Sequence, residues 1–360
     1  MLQRALFGGG GGHAAPPRAF QRMMERRTFL MRLTGALLAG SLLAGSLASP
    51  GAAQGQAGKI WRLGLLREGP SERLTPGEIS THFVEALRDL GYVEGRNLVI
   101  ESRYAGGRPD QIPEFASELV RLKVDVIVTV GTRETIGAKA ATATIPIVML
   151  AVGDPIGAGL VTSLTRPDSN VTGTSLMVPD LGGKRLELLR EIVPKLQRVA
   201  ILGNPRNASA AAELRAVETA AQSLGLAVYL LEVDSASRVD VALADMARDR
   251  PDGMLVLQDA LTFAHRREIT AAALRLRLPA VLPTALYVSS GGLVSYGYEP
   301  RAVARRGASY VDRILKGAKP ADLPIEQPTK FELVINRKTA QTLGLSISPS
   351  LLLRSDRIIE

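Results

Sequence analysis

The chain has 360 residues, with 44 Lys and Arg against 35 Asp and Glu, three His and no Cys, for a net charge of +9. The missing cysteine excludes disulfides, thiolate metal sites, Cys nucleophiles and a lipidated Cys anchor. Residues 1–53 carry +5 of the charge and the rest only +4, a balance that argues against nucleic acid, as does the lack of any Lys/Arg run interleaved with aromatics.

Residues 1–53 read as an export segment. Arg26 and Arg27 supply the charged start, Leu33–Leu47 a 15-residue apolar stretch, and Gly51-Ala52-Ala53 before Gln54 a small-residue cleavage site. The stretch is shorter than the about 17–25 residues of a spanning helix and is diluted by Gly and Ser. Arg26-Arg27-Thr28-Phe29-Leu30 resembles a twin-arginine signal core, although Glu25 and Met31 depart from it, so general secretion and twin-arginine export both stay open. The Gly-rich run upstream has no helix or strand pattern, which makes Met24 a candidate start. With no second apolar span, a freely soluble, monomeric protein of an enclosed compartment such as the periplasm is expected.

The remainder repeats itself. A first pass of apolar runs reads IWRLGLL, NLVIESRY, VDVIVTVGT, IPIVMLAVGDP and NVTGTS; a second reads RVAILGN, AVYLLEV, PDGMLVLQDA, LPAVLPT and GLVSYG. Each run is rich in Val, Ile and Leu without strict alternation, and helix-patterned sequence lies between most of them, as in buried parallel strands of βαβ units. Two doubly wound, Rossmann-like α/β lobes joined by a multi-strand hinge are predicted. The first takes 60–178 plus 293–322 and the second 179–292 plus 323–360, with chain crossings near 178–183, 290–293 and 323–328. Helix 300–315 is expected to return to the first lobe. Gly91 and Gly225 are expected to end helices in matching places, and the tail to form a strand at 331–335 and a helix at 337–343.

Doubly wound sheets bind ligands at strand C-termini, so a cleft between the lobes is the expected site. Gly131-Thr132 opens a helix whose free amides and dipole favour a carboxylate, and Thr132 reads as a cap alone or as a cap that also touches ligand. Asp154 reads as an ammonium partner or as the acid of an Asp-Pro turn. Asp259 holds the equivalent place in the second pass. Two such carboxylates suit acid/base work or the binding of a cation or hydroxyls. Tyr296 and Tyr298 can stack on a ring or simply pack at the hinge. Ser175 and Asn204 follow strand ends, and Asn207 reads as a helix cap. Arg67-Glu68 reads as an ion pair at the cleft lip or a solvated loop. No GxGxxG, P-loop, HExxH or GxSxG motif appears, so neither a metal nor a cofactor is called for, and an enzyme such as a sugar-nucleotide transferase or epimerase is disfavoured.

Taken together, LRDLGYVEGRNLVIE, DVIVTVGT, IPIVMLAVGDPIGAGLV, NVTGTSL, KRLELLREIVP and LPIEQPTKFELVINRKTAQTLGL resemble ABC-transporter substrate-binding proteins, in the family that includes bacterial tryptophan- and tyrosine-binding lipoproteins. The resemblance spans about Ile60 to Leu345. It implies a type I periplasmic-binding-protein fold, no catalysis, capture of an amino acid or similar solute by lobe closure, and delivery to a separately encoded permease and ATPase. It further implies that Gly131-Thr132 and Asp154 hold ligand carboxylate and ammonium, with Asp259 and Tyr296 on the second-lobe side. A subunit that presents ligand to a membrane sensor is the alternative reading.

Overall fold

The computed structural model describes residues 59–68 and 74–360, so the expected export segment lies outside the described residues. Strands β1 (Trp61–Arg67), β2 (Leu98–Tyr104), β3 (Val126–Val130), β4 (Ile147–Val152) and β5 (Val171–Ser175) form a parallel sheet in the order β2-β1-β3-β4-β5. Alternate residues supply its two faces. Leu63, Leu65, Val126, Val128, Val148 and Leu150 pack with Phe83 and Leu87 of helix α1 (Ile79–Asp89). Leu66, Ile127, Ile147 and Met149 turn the other way, towards Leu119 of α2 (Ile112–Arg121) and Ala138 of α3 (Thr132–Ala141). Burial on both sides explains why these strands read as continuous apolar runs rather than alternating ones.

The second sheet repeats the first. Helix α4 (Val178–Ile192) precedes β6 (Arg198–Gly203), and α5 (Ala208–Leu224) leads to β7 (Ala227–Glu232). Helix α6 (Ala236–Asp249), β8 (Gly253–Val256), the short α7 (Ala260–Ala264), α8 (Arg266–Arg275), β9 (Ala280–Leu282), the short α9 (Ala285–Ser289) and β10 (Val294–Tyr298) follow. Their order, β7-β6-β8-β9-β10, is the order of the first sheet. Val199 and Ile201 pack under α4 and α5, while Ala200 and Leu202 pack under α6 and α8. The Asn207 side chain caps α5 by accepting from the Ser209 amide, and Gly225 ends it at φ +66°, a conformation glycine takes without strain. Helix α10 (Pro300–Leu315) sets Val303 and Val311 against the first sheet. Strand β11 (Phe331–Asn336), helices α11 (Arg337–Leu343) and α12 (Pro349–Arg354), and β12 (Arg357–Ile359) then extend the second sheet to seven strands, β11 antiparallel to β10.

One boundary differs from the sequence expectation. Residues 293–322 were expected in the first lobe, yet Val294–Tyr298 hydrogen-bonds between β9 and β11 of the second sheet. The second crossing therefore falls after Tyr298, at Glu299-Pro300, instead of at 290–293. A buried strand carries the same pattern in either sheet, so its hydrogen bonds, not its residues, decide the matter. At the first crossing Met177 adopts the left-handed conformation at φ +53° between β5 and α4. At the third, Glu326 exchanges backbone hydrogen bonds with β5: its carbonyl accepts from Ser175 at 2.9 Å and its amide donates to Gly173 at 3.0 Å.

Candidate functional site

The C-terminal ends of β1, β3 and β4 face those of β6, β8, β9 and β10, and together they enclose a cavity of about 120 Å³ open to the centres of water-sized molecules. Apolar side chains from both lobes, chiefly Ile79, Val130, Phe263, Leu286 and Tyr298, form much of its wall. Its polar groups gather into two sets.

The first set surrounds the start of α3. Gly131 sits at φ +125°, and a Cβ there would lie 2.5 Å from a carboxylate oxygen of Glu134, so the close approach of loop and helix requires glycine. No side chain caps α3, and the first-turn amides of Thr132 and Arg133 have no intrahelical acceptor. The Thr132 hydroxyl lies 2.7 Å from that of Ser209, which joins the two lobes directly, and Ser209 Oγ also accepts from the Asp154 amide at 3.3 Å. Glu68 donates its amide to Glu134 Oε1 at 2.8 Å, and its carboxylate lies 3.6 Å from the Arg133 guanidinium. Burial, with repulsion from Asp259 across the cleft, raises Glu68 to about 7 against the pull of Arg133. Burial and the charge of Glu68 raise Glu134 to about 8. Asp259 accepts from the Leu261 amide at 2.8 Å and from Asn207 Nδ2 at 2.9 Å, so it is locked in place by two bonds.

The second set lies between the start of α1 and the ends of β8, β9 and β10. Glu78 is buried, its Oε1 lies 3.9 Å from Arg266 Nη2, and burial raises its pKa. Arg266 spreads over the Phe263 ring at 4.4 Å and donates to the Phe263 carbonyl at 3.0 Å. Tyr298, whose phenol burial pushes up to about 12, sits beside the Gln258 amide. Arg67 lies 5.6 Å from the Tyr104 ring, and burial lowers its pKa.

Seven residues singled out in the sequence line the cavity together: Arg67, Glu68, Gly131, Thr132, Asn207, Asp259 and Tyr298. Four do not. Asp154 accepts from the Gly157 amide at 2.8 Å as the acid of a turn, and its neighbour Gly153 forms the wall instead. Ser175 belongs to the third crossing, where its amide bonds Glu326. Asn204 is fully buried in a turn, with its Oδ1 accepting from the Arg206 amide. Tyr296 packs against Phe331 at 5.9 Å between ring centres, whereas Tyr298, one residue pair further along the same strand face, reaches the cleft. Arg67 and Glu68 are both buried, so they form no solvated loop.

Behind the second-lobe wall lies a pair absent from the sequence reading. Arg185 of α4 and Glu213 of α5, each 1% exposed, form a buried ion pair. Arg185 also donates to the carbonyls of Tyr296 at 2.8 Å and Pro283 at 3.3 Å, and Glu213 accepts from the Gln258 amide at 2.9 Å. The pair thus fastens the ends of β8, β9 and β10 to the helices beneath them. Among the described residues no cluster of His, Asp and Glu is arranged to hold a metal ion.

Two parallel α/β lobes, three chain crossings and a cavity at their facing strand ends define a type I periplasmic-binding-protein fold. The chain belongs to the ABC transporter substrate binding protein family, whose model matches residues 75–359. It is 28% identical over 263 residues to a tyrosine-binding protein of Clostridioides difficile, covering 73% of this chain and 75% of that one. Among solved structures, an ABC domain of Streptococcus pneumoniae in complex with L-Trp is similar at 25% identity and TM-score 0.77, covering 84% of this chain and all of that one. A conserved domain protein of Vibrio cholerae is similar at 28% identity and TM-score 0.78, covering 83% of this chain and all of that one.

Proposed function

We propose that this protein is the periplasmic solute receptor of an ABC importer, and that it captures an α-amino acid between its lobes for a separately encoded permease and ATPase. The observation that carries the reading is the cross-lobe set at the start of α3. Uncapped amides and the helix dipole favour a ligand carboxylate there, and Glu68 and Asp259, from opposite lobes, lie where an ammonium group between them relieves their repulsion. Family membership and the ligands named for the two relatives, tyrosine and L-Trp, agree with this chemistry. The three crossings act as the hinge. The Thr132–Ser209 hydrogen bond favours the closed arrangement, in which contacts from both lobes reward the bound state. The export segment expected at residues 1–53 delivers the chain to the periplasm.

Thermal unfolding of the chain from Gln54 onward, against the twenty amino acids and a panel of sugars and polyols, tests the proposal. A ligand that binds only the folded protein adds about 2.7 kcal/mol of stability at a hundred times its dissociation constant. An amino acid recovered unchanged after raising the midpoint supports the reading. A shift with sugars alone refutes it.

A further inference from the structure

The buried pair Arg185 and Glu213 is an expensive way to fill the space between α4 and α5. Two apolar side chains of similar volume would leave no charges to desolvate, and such replacements are commonly neutral or better for stability. Apolar side chains cannot, however, hold polar groups of the backbone. Every nitrogen of the Arg185 guanidinium has its own acceptor: Nη1 donates to Glu213 Oε1, Nε to the Tyr296 carbonyl at 2.8 Å and Nη2 to the Pro283 carbonyl at 3.3 Å. Both Glu213 oxygens are engaged as well, Oε1 by Arg185 and Oε2 by the Gln258 amide at 2.9 Å.

These bonds end on the cavity wall. Gln258 lines the cavity, Pro283 precedes the lining residue Thr284, and Tyr296 lies two residues before Tyr298, which lines it too. The wall depends on such support: Thr284 Oγ1 and Gln258 Oε1 are buried without a hydrogen-bond partner among the described residues, so no bond to these atoms steers their side chains. Asp259, the residue after Gln258, is held from the same helix as Gln258, since Asn207 at the start of α5 donates to it at 2.9 Å. Helix α5 therefore grips the end of β8 at two points, and Arg185 of α4 grips the end of β9 together with β10.

We propose that Arg185 and Glu213 are positioning residues for ligand capture: the pair holds the backbone at Gln258, Thr284 and Tyr298 in the geometry that receives the solute, and relative to an apolar pair it contributes to affinity and not to stability. Neither side chain touches the ligand. The inference rests on the amino-acid reading above and adds to it the two residues that preorganise the second-lobe wall, whose side chains otherwise have to be ordered as the ligand binds.

Arg185→Met/Glu213→Leu removes both charges together and separates the two roles. Urea unfolding and calorimetric titration with each of the twenty amino acids, L-tryptophan and L-tyrosine first, are run on the wild-type and variant chains from Gln54 onward. The variant is expected to unfold close to the wild-type midpoint, yet to bind the wild type's amino acid at least about tenfold more weakly, the equivalent of ordering two or three freed side chains on binding. Circular dichroism at the titration temperature establishes that the protein titrated is folded, so a purely structural role of the pair would leave its affinity unmoved. Should the double variant not fold, Arg185→Lys carries the test: it keeps Glu213 paired, but one ammonium cannot reach Glu213 and both carbonyls as the planar guanidinium does, so affinity is expected to fall about threefold or more. A folded variant that binds within about twofold of the wild type overturns the inference and leaves the amino-acid reading intact. A wild type that binds none of the twenty overturns both.

Discussion

Raising the pH should loosen the ligand-free protein, because two of its buried carboxyl groups hold protons far above their ordinary range. Glu134 is raised from 4.5 to about 8 and Glu68 to about 7, each first by burial and then by a neighbouring carboxylate. The unfolded chain gives up these protons near 4.5, so between pH 4.5 and 8 the native state binds more protons than the unfolded state and stability falls as pH rises. At 1.36 kcal/mol per unit, Glu134 alone amounts to about 5 kcal/mol over that range. Part of the Glu134 shift is repulsion from Glu68, so the two contributions overlap and the pair is worth less than their sum. Urea titrations followed by the fluorescence of the single tryptophan, Trp61, at pH 5, 6, 7 and 8 measure this directly. Glu134→Gln, which keeps the acceptor for the Glu68 amide, should flatten the profile to less than half its slope. A wild-type stability that stays level or climbs from pH 5 to 8 would show the reasoning to be wrong. The same charges make capture proton-linked: an ammonium group between Glu68 and Asp259 favours the ionised carboxylates, so L-tryptophan binding at pH 7 should release protons. Titrations in buffers of different ionisation enthalpy reveal the release.

Three further predictions concern the supports of the cavity. Arg185→Met strands the Glu213 carboxylate in the second lobe and should cost about 3–5 kcal/mol in denaturant titrations, most of it recovered in Arg185→Met/Glu213→Leu; a double variant no better than the single would contradict this account. Thr132→Val removes the hydroxyl that meets Ser209 and should weaken L-tryptophan binding several-fold with stability changed by no more than about 1 kcal/mol, and small-angle scattering should find a larger radius in the ligand-free state; unchanged affinity would count against closure by this bond. Gly297→Ala places a Cβ 1.9 Å from the Pro283 carbonyl oxygen, so it should lower the thermal midpoint sharply, whereas a midpoint equal to the wild type would mean that β9 and β10 can separate there.

All ten strands of the two passes were legible because parallel strands buried on both faces leave unbroken apolar runs, and Gly225 marked a helix end through its freedom at positive φ. The affiliation of β10 was not legible, since Val294–Tyr298 reads alike beside either sheet. Glu68, Gly131, Thr132 and Asp259 reach the cavity because strand-end position alone brings them there, while Asp154 and Asn204 share that position and spend their side chains on local turns. Arg185 and Glu213 were missed although the sequence held a sign of them. Arg185 stands in the stripe Leu181, Leu188, Leu189 and Ile192, and Glu213 stands in the stripe Ala210, Val217 and Ala221, so each charge occupies an apolar face at helical spacing. Glu78 carried no such sign, because the start of α1 is a usual place for an acid, and only the meeting of the lobes buries it in the cavity wall.

Helix α4 follows the last strand of the first sheet but covers the second, and α10 follows the fifth strand of the second sheet but covers the first. Each half therefore lends the other its closing helix. Exchange of terminal segments between two identical copies, followed by their end-to-end fusion, leaves this arrangement. A single cut in the backbone cannot release two self-sufficient halves: a break ahead of Val178 deprives the amino-terminal fragment of its cover and leaves the remainder with a helix that has no sheet to shield. The first sheet likewise cannot complete its core until α10 and the segment through Ile325 have been made.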